Sequence, residues 1–233
     1  MSDVPKQSDN FDDVADAPRK SRRGYGGRSA DELAQERRQR LLDTGFELFG
    51  TQGYASTNTE QICRAAKVTT RHFYEQFADK EALLISLFDA QMQDTLNQVT
   101  SALIGSVRPL HERLFEGLEA FLDAQLTDVR RARLTTIEIL GVSAQAESRR
   151  HTVIGQFVQL IEMYFAVLVQ QGYAPDQPYR VLAVAIVGAM HELQIAHLRQ
   201  PEVFDRASMT QALHGLLSIY VQGLMRQAGT DQM

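Results

Sequence analysis

The sequence predicts an all-α chain, and three observations carry that prediction. Apolar residues recur at helical spacing from about residue 31 to the carboxyl end, strand-like alternation is absent, and glycine, proline and small polar residues fall between the periodic segments, where helices start and stop. At 233 residues with 44 % apolar content the chain can bury a sizeable core, as one large domain or two modest ones.

Residues 1–28 stand outside the pattern. They hold few aliphatics, many charges and the cluster Gly24, Gly26 and Gly27, too little apolar surface to offset the entropy of ordering, so this arm is expected to be disordered. From Asp31 the positions Leu33, Leu41, Leu42, Gly45, Phe46, Leu48 and Phe49 mark a first helix ending near Gly53, with Ser29 as cap and Glu32 completing a capping box. A second, short helix starts in the run Ser56-Thr57-Asn58-Thr59, carries Ile62, Cys63, Ala65 and Ala66 inward and stops at Lys67-Val68. Thr69 caps a third. There Phe73 and Phe77 form one apolar stripe, which leaves Thr70, Arg71, His72, Tyr74 and Glu75 on or near the exposed sector. Asp79 caps a fourth helix over about 79–104, and further helices are predicted over 109–126, 129–141, 147–171, 178–199 and 205–227. Gly105, Thr127-Asp128, Gly141, Gly172 with Pro175 and Pro178, and Pro201 separate them.

Charge is unevenly distributed. The net charge of -5 conceals an acidic start, five Asp against Lys6 in residues 1–16, followed by eight basic residues against three acidic ones in residues 19–40. A basic stretch just ahead of two short helices is an electrostatic footprint for phosphate; a solvated tail that aids solubility is the other reading. The longest uninterrupted apolar run, Val181 to Met190, is too short to cross a bilayer, and no amino-terminal stretch resembles a secretion signal, so a soluble cytoplasmic protein without membrane contact is expected. Cys63, the sole cysteine, fits a reducing compartment and a plain core role.

Enzymatic chemistry finds little support. HELQIAH at 191–197 sets its histidines six apart, whereas a zinc-protease helix needs them four apart to aim both imidazoles at one metal. The glycine cluster follows no strand and so is a flexible joint, and the pair Asp12-Asp13 lies in the arm. No catalytic residue, metal ligand or cofactor is predicted, and an enzyme with an unrecognised site stays only as an alternative.

Two short helices joined by a tight turn, the second exposing hydrogen-bonding residues near its start, form a helix-turn-helix, whose second helix enters the major groove. Arg71 can donate in a fork to guanine, His72 can reach a base acceptor or a thymine methyl, and Thr69, Thr70 and Tyr74 suit phosphate or base contacts. Lys80 adds charge near the backbone. The stretch from about Arg38 to Leu84, and within it GFELFGTQGYASTNTEQICRAAKVTTRHFYEQFADKEALL, resembles the amino-terminal DNA-binding domain of the TetR family of bacterial transcriptional regulators. Gly45, Phe49, Gly53, Tyr54, Thr57, Ile62, Ala66, Val68, Phe73, Tyr74, Phe77, Lys80 and Leu83 carry the resemblance together. It departs from the family's usual pattern at Lys67, where glycine is common, at Arg71, where a small residue is frequent, and at Gln76, where histidine is frequent.

The resemblance implies a three-helix DNA-binding domain over 29–81 and a helical ligand-binding and dimerisation domain over 82–233. It implies phosphate contacts from Thr59, Thr69, Tyr74 and Lys80 and base contacts from Thr70, Arg71 and His72. It further implies a homodimer on palindromic double-stranded operator DNA, acting as a repressor and released by a small-molecule effector of unknown identity. A dimeric DNA-binding protein without an effector is the alternative. VLAVAIVGAM is apolar on every side, and the last helix aligns Leu213, Leu216, Leu217, Tyr220 and Leu224, with Ile219 and Val221 off that stripe. These two helices read either as a dimer seam or as a fully buried monomer core. Met92, Phe121, Phe157, Met163, Tyr164 and His191 are the candidate ligand-binding residues, an apolar wall with a few polar tips, unless they simply fill the core.

The arm has its own test. Deleting residues 1–28 removes Arg19, Lys20, Arg22, Arg23 and Arg28, so if the arm touches flanking DNA the deletion flattens the salt dependence of binding, as fewer counterions are released. Anisotropy titrations at several salt concentrations measure that slope; an unchanged slope makes the arm a solubilising tail.

Overall fold

The structure, a computed structural model, describes residues 29–230, with only the backbone described for 228–230. The predicted disordered arm therefore lies outside the described residues. Among the described residues there is no strand, and the order is α1 (Ala30–Thr51), α2 (Thr59–Ala66), α3 (Thr70–Gln76), α4 (Lys80–Gly105), a 3-10 turn at Leu110–Glu112, α5 (Arg113–Leu126), α6 (Val129–Arg133), a π turn at Leu134–Glu138, α7 (Ala144–Gln170), α8 (Arg180–Arg199) and α9 (Arg206–Thr230). Residues from Arg37 onward pack as one compact unit; the described residues before it are treated by themselves.

The caps read from sequence form. In the amino-terminal unit the backbone N–H of Glu32 donates to Ser29 Oγ at 3.1 Å, and Ser29 N–H donates to the Glu32 carboxylate at 2.6 Å, the reciprocal pairing of a capping box. Asn58 and Gln61 make a second box at the start of α2, and Asp79 accepts from Ala82 N–H at 2.7 Å at the start of α4. Ser143 caps α7 three residues earlier than the predicted start, and the predicted helix over 129–141 resolves into a five-residue α6 followed by the π turn. Thr135 and Thr136 sit in that turn and donate to the carbonyls of Arg131 and Ala132, which favours the wider coil over a regular helix.

Two corrections concern facing. Ala65, expected inward on α2, is exposed, because Ile62, Cys63 and Ala66 already span the buried face. On α9 the buried stripe takes Leu217, Val221 and Leu224, whereas Leu216 turns outward. Contrary to the reading from uninterrupted apolar runs, α7 and α8 are each long and apolar enough to cross a membrane by length and composition. In this fold they pack on each other, and α7 sends Phe157 and Phe165 into the core beside α4 and α5.

Lys67 ends α2 in the left-handed region at φ 53°, ψ 43°, and is the one non-glycine residue among those described with positive φ. Its N–H donates to Arg64 O, and Val68 N–H donates to Cys63 O at 3.0 Å, so the tight turn is secured by two helix carbonyls. A side chain in this conformation costs roughly 1 kcal/mol relative to glycine. Lys67→Gly should therefore raise the unfolding free energy by about 0.5–1 kcal/mol, read by urea denaturation, with an unchanged dependence on denaturant.

Candidate nucleic-acid interface and internal cavity

α3 is seven residues long and borrows its rigidity. Phe73 and Phe77 are buried with ring centroids 5.8 Å apart, Thr69 Oγ1 accepts from His72 N–H at 3.3 Å, and Arg38 on α1 donates to Gln76 O at 3.3 Å while its guanidinium lies 4.4 Å from the Phe77 ring centre. Arg38 thus serves the carboxyl end of α3, where a cation is favoured, and is drawn out of the basic stretch that the sequence offered to phosphate. Nothing in the sequence pattern marked it. Cys63 packs behind α3, and burial pushes its thiol above the ordinary range, which keeps it an inert core residue.

The polar residues predicted to read DNA come together on the outer side of α3. Thr69, Thr70, Arg71 and Tyr74 are exposed and His72 is half-buried; Thr59 stands half-buried at the start of α2. Arg71 has 88 % of its side chain exposed, and its Nε donates to Glu75 at 3.1 Å; Glu75 also lies 4.0 Å from His72 Nε2. Exposed pairs of this kind are worth well under 1 kcal/mol, so the guanidinium is held in place yet easily re-partnered. His72 Nδ1 is 2.9 Å from Thr69 Oγ1, which fixes the ring at the amino end of α3.

Lys80 is placed differently from the other candidates. Its ammonium donates to Tyr54 O at 2.8 Å and Thr57 O at 2.7 Å and stands 3.9 Å from the Tyr54 ring centre. Burial pushes its pKa down. Two of its three N–H donors thus close the turn between α1 and α2, leaving one for a phosphate.

The same turn is gripped from the other side. Tyr54 N–H donates to Glu138 Oε2 at 2.6 Å, Arg133 Nε donates to Glu138 Oε1 at 2.8 Å, and Arg133 Nη1 donates to Thr51 O at 3.0 Å. Arg130 pairs with Asp128 and with Glu47 on α1 and lies over the Phe46 ring, and its side-chain hydrogen bond holds the Asp128 carboxyl below the ordinary range. A Cβ on Gly50 would stand 2.5 Å from the Arg130 Cβ, so only glycine allows α1 and α6 to approach so closely.

Beyond these contacts lies a partly open cavity of about 250 Å³ lined by α4, α5, the π turn, α7 and α8. Met92, Phe121, Phe157 and His191 of the candidate ligand residues line it; Met163 and Tyr164 do not. Met163 is 53 % exposed on the outer side of α7. Tyr164 is buried elsewhere, donating to Leu110 O and accepting from Leu114 N–H at 3.2 Å, and burial pushes its pKa up to about 12. Thr135, Thr136, Arg150 and Gln194, none of them singled out from sequence, add polar atoms to the wall.

Comparison with known proteins agrees with this geometry. Residues 41–87, from within α1 into α4, match the family model described as bacterial regulatory proteins, tetR family. The transcriptional regulator HbdR of Aromatoleum sp. (strain CIB) is 32 % identical over 96 residues, a match that covers 40 % of this chain and 42 % of HbdR. The regulator AcrR of Shigella flexneri is 26 % identical over 193 residues, covering 76 % of this chain and 86 % of AcrR. Among solved structures, the regulator FadR of Bacillus subtilis in complex with stearoyl-CoA aligns at a TM-score of 0.69 with 18 % identity, over 77 % of this chain and 96 % of that one. Fold, helix-turn-helix and sequence match converge: residues 41–87 are similar to the DNA-binding domain of the tetR family, and the relatives and structural neighbours that the chain resembles are transcriptional regulators.

Proposed function

We propose that the chain represses transcription in the cytoplasm by binding a palindromic double-stranded operator as a homodimer, and that a small molecule in the cavity releases it. One observation carries the DNA-binding role: α3 turns Thr70, Arg71 and Tyr74 outward, with half-buried His72 beside them, while Phe73 and Phe77 lock its other side. Arg71 and His72 read base edges, Thr70 assists them, and Thr59, Thr69 and Tyr74 hold phosphates. Lys80 acts first by fixing the turn behind α3 and second as a phosphate donor.

Dimerisation is supported by the outer faces of α8 and α9. Val181 is 83 % exposed, Leu216 67 % and Ile219 75 %, an apolar expanse unusual for a free surface. Gly188, Gly215 and Gly223 on the same two helices have open space where a Cβ would stand, room for the close approach of a second copy. An effector is supported by the cavity and by the stearoyl-CoA bound in FadR, a neighbour in fold.

Arg71→Ala should relax preference at one base pair of each half-site and cost about 1–3 kcal/mol of specific binding, with the melting temperature unchanged. Lys80→Met should instead destabilise the fold by about 1–3 kcal/mol and weaken binding to every sequence alike. Anisotropy on operator variants together with thermal melts separates the two; an equal loss on all sequences for Arg71→Ala removes it from base reading.

The complete function is tested by retardation of DNA from the chain's own promoter and by reciprocal titration with a compound found in a thermal-shift screen. Linkage requires that the compound lower operator affinity by the factor by which operator lowers compound affinity, roughly 5–150-fold for a useful switch. Retardation that no cavity-binding compound reverses favours a dimeric DNA-binding protein without an effector.

A further inference from the structure

The cavity wall makes a specific chemical demand. Most of it is apolar, with Phe88, Val99, Leu118, Phe121, Phe157 and Ile161 among its lining, but α8 brings two polar side chains to it, His191 and Gln194, three residues apart and so on one face. Gln194 is 3 % exposed; its Nε2 donates to Met190 O at 3.3 Å, which orients the amide and leaves Oε1, an acceptor, buried without a partner in the protein. His191 Nε2 is likewise buried and unpartnered. Burial, and then the positive charge of Arg150, hold the His191 pKa below its ordinary value, so the ring is neutral and Nε2 can carry the proton.

The other polar groups in the wall are already satisfied. Arg150 donates to both carboxylate oxygens of Glu147, at 3.2 and 2.8 Å, so its charge is balanced inside the fold. Thr135 donates to Gln125 Oε1 at 2.9 Å and to Arg131 O, Thr136 donates to Ala132 O, and Gln125 Nε2 donates to Thr95 at 2.6 Å. What remains is one acceptor that needs a donor and one imidazole nitrogen beside it, with no unbalanced cation to reward an anion.

We infer that the cavity takes an uncharged molecule with an apolar body and a single hydroxyl, of the alkylphenol or short-alcohol class, whose O–H donates to Gln194 Oε1 and accepts from His191 Nε2–H. A cavity of about 150 Å³ holds benzene, so the about 250 Å³ here suits roughly ten heavy atoms. This rests on reading the cavity as the effector site and names the chemistry of that effector.

The test is calorimetric titration of the full chain at neutral pH, without DNA, using 4-propylphenol, propylbenzene and 4-propylbenzoate. The phenol should bind at least tenfold more tightly than either analogue, because a buried polar pair rejects a molecule that cannot complete it. In Gln194→Met the phenol and propylbenzene should bind within about twofold of each other. Equal affinities for phenol and propylbenzene in the wild-type chain, tightest binding of the benzoate, binding of none of the three, or a preference that survives Gln194→Met each overturns the inference. Because no DNA is present, a phenol that binds as expected yet fails to release the operator refutes the effector reading and leaves the chemistry of the cavity standing.

Discussion

A helix of seven residues cannot hold its own shape in water, and the helix-turn-helix of this chain is organised around that constraint. α3 is supported from several sides: Thr69 caps its start, Arg38 of α1 binds its end, and Phe73 and Phe77 anchor it in a core that also receives Leu41, Ile62 and Leu84. The exposed side of α3 and the core beneath it are consequently one object. Phe73 lies between His72 and Tyr74 in sequence, so any shift of the core residue moves both exposed neighbours.

The cavity reaches this object by two routes. α4 starts at Lys80, which closes the turn ahead of α2, and farther along supplies Met92, Val99 and Leu103 to the cavity wall. The second route is shorter. Thr135 and Thr136 face the cavity from the π turn, and Glu138 at the end of that turn holds Tyr54 N–H. A π turn carries one more residue than the coil requires and is a natural place for a helix to slip. The first route follows one continuous helix, whereas the second joins residues more than eighty positions apart in the chain.

What was legible in the sequence was local. Capping residues, proline and glycine placed the helices to within a few residues, because a helix end is decided by the hydrogen bonds of three or four neighbours. The seven candidate DNA-contacting residues were singled out by the combination of a short amphipathic stripe and family resemblance; of the four on α3, Thr70, Arg71 and Tyr74 are exposed and His72 is half-buried. Long-range pairings were not legible. Arg38 reads as one more cation in a basic run and Lys80 as a free charge, yet both are occupied by carbonyls distant in sequence. Met163 and Tyr164 share α7 with Phe157 and match the cavity in character, but the turn of the helix carries one outward and the other towards Leu110. Thr135-Thr136 gave no signal of a π turn, since the threonine hydroxyls show their preference only once a helix surrounds them.

Under the proposed function, Glu75 has a consequence for how the operator is found. An anion set among the donors of α3 already occupies Arg71, so a lone phosphate approaching from any stretch of DNA meets both competition and repulsion. The edge of a guanine offers two aligned acceptors and is a better exchange for the guanidinium than one carboxylate oxygen. In the proposed docking, Glu75 shortens the dwell time on random sequence more than on the operator, and the chain trades part of its raw grip on DNA for a faster search along it.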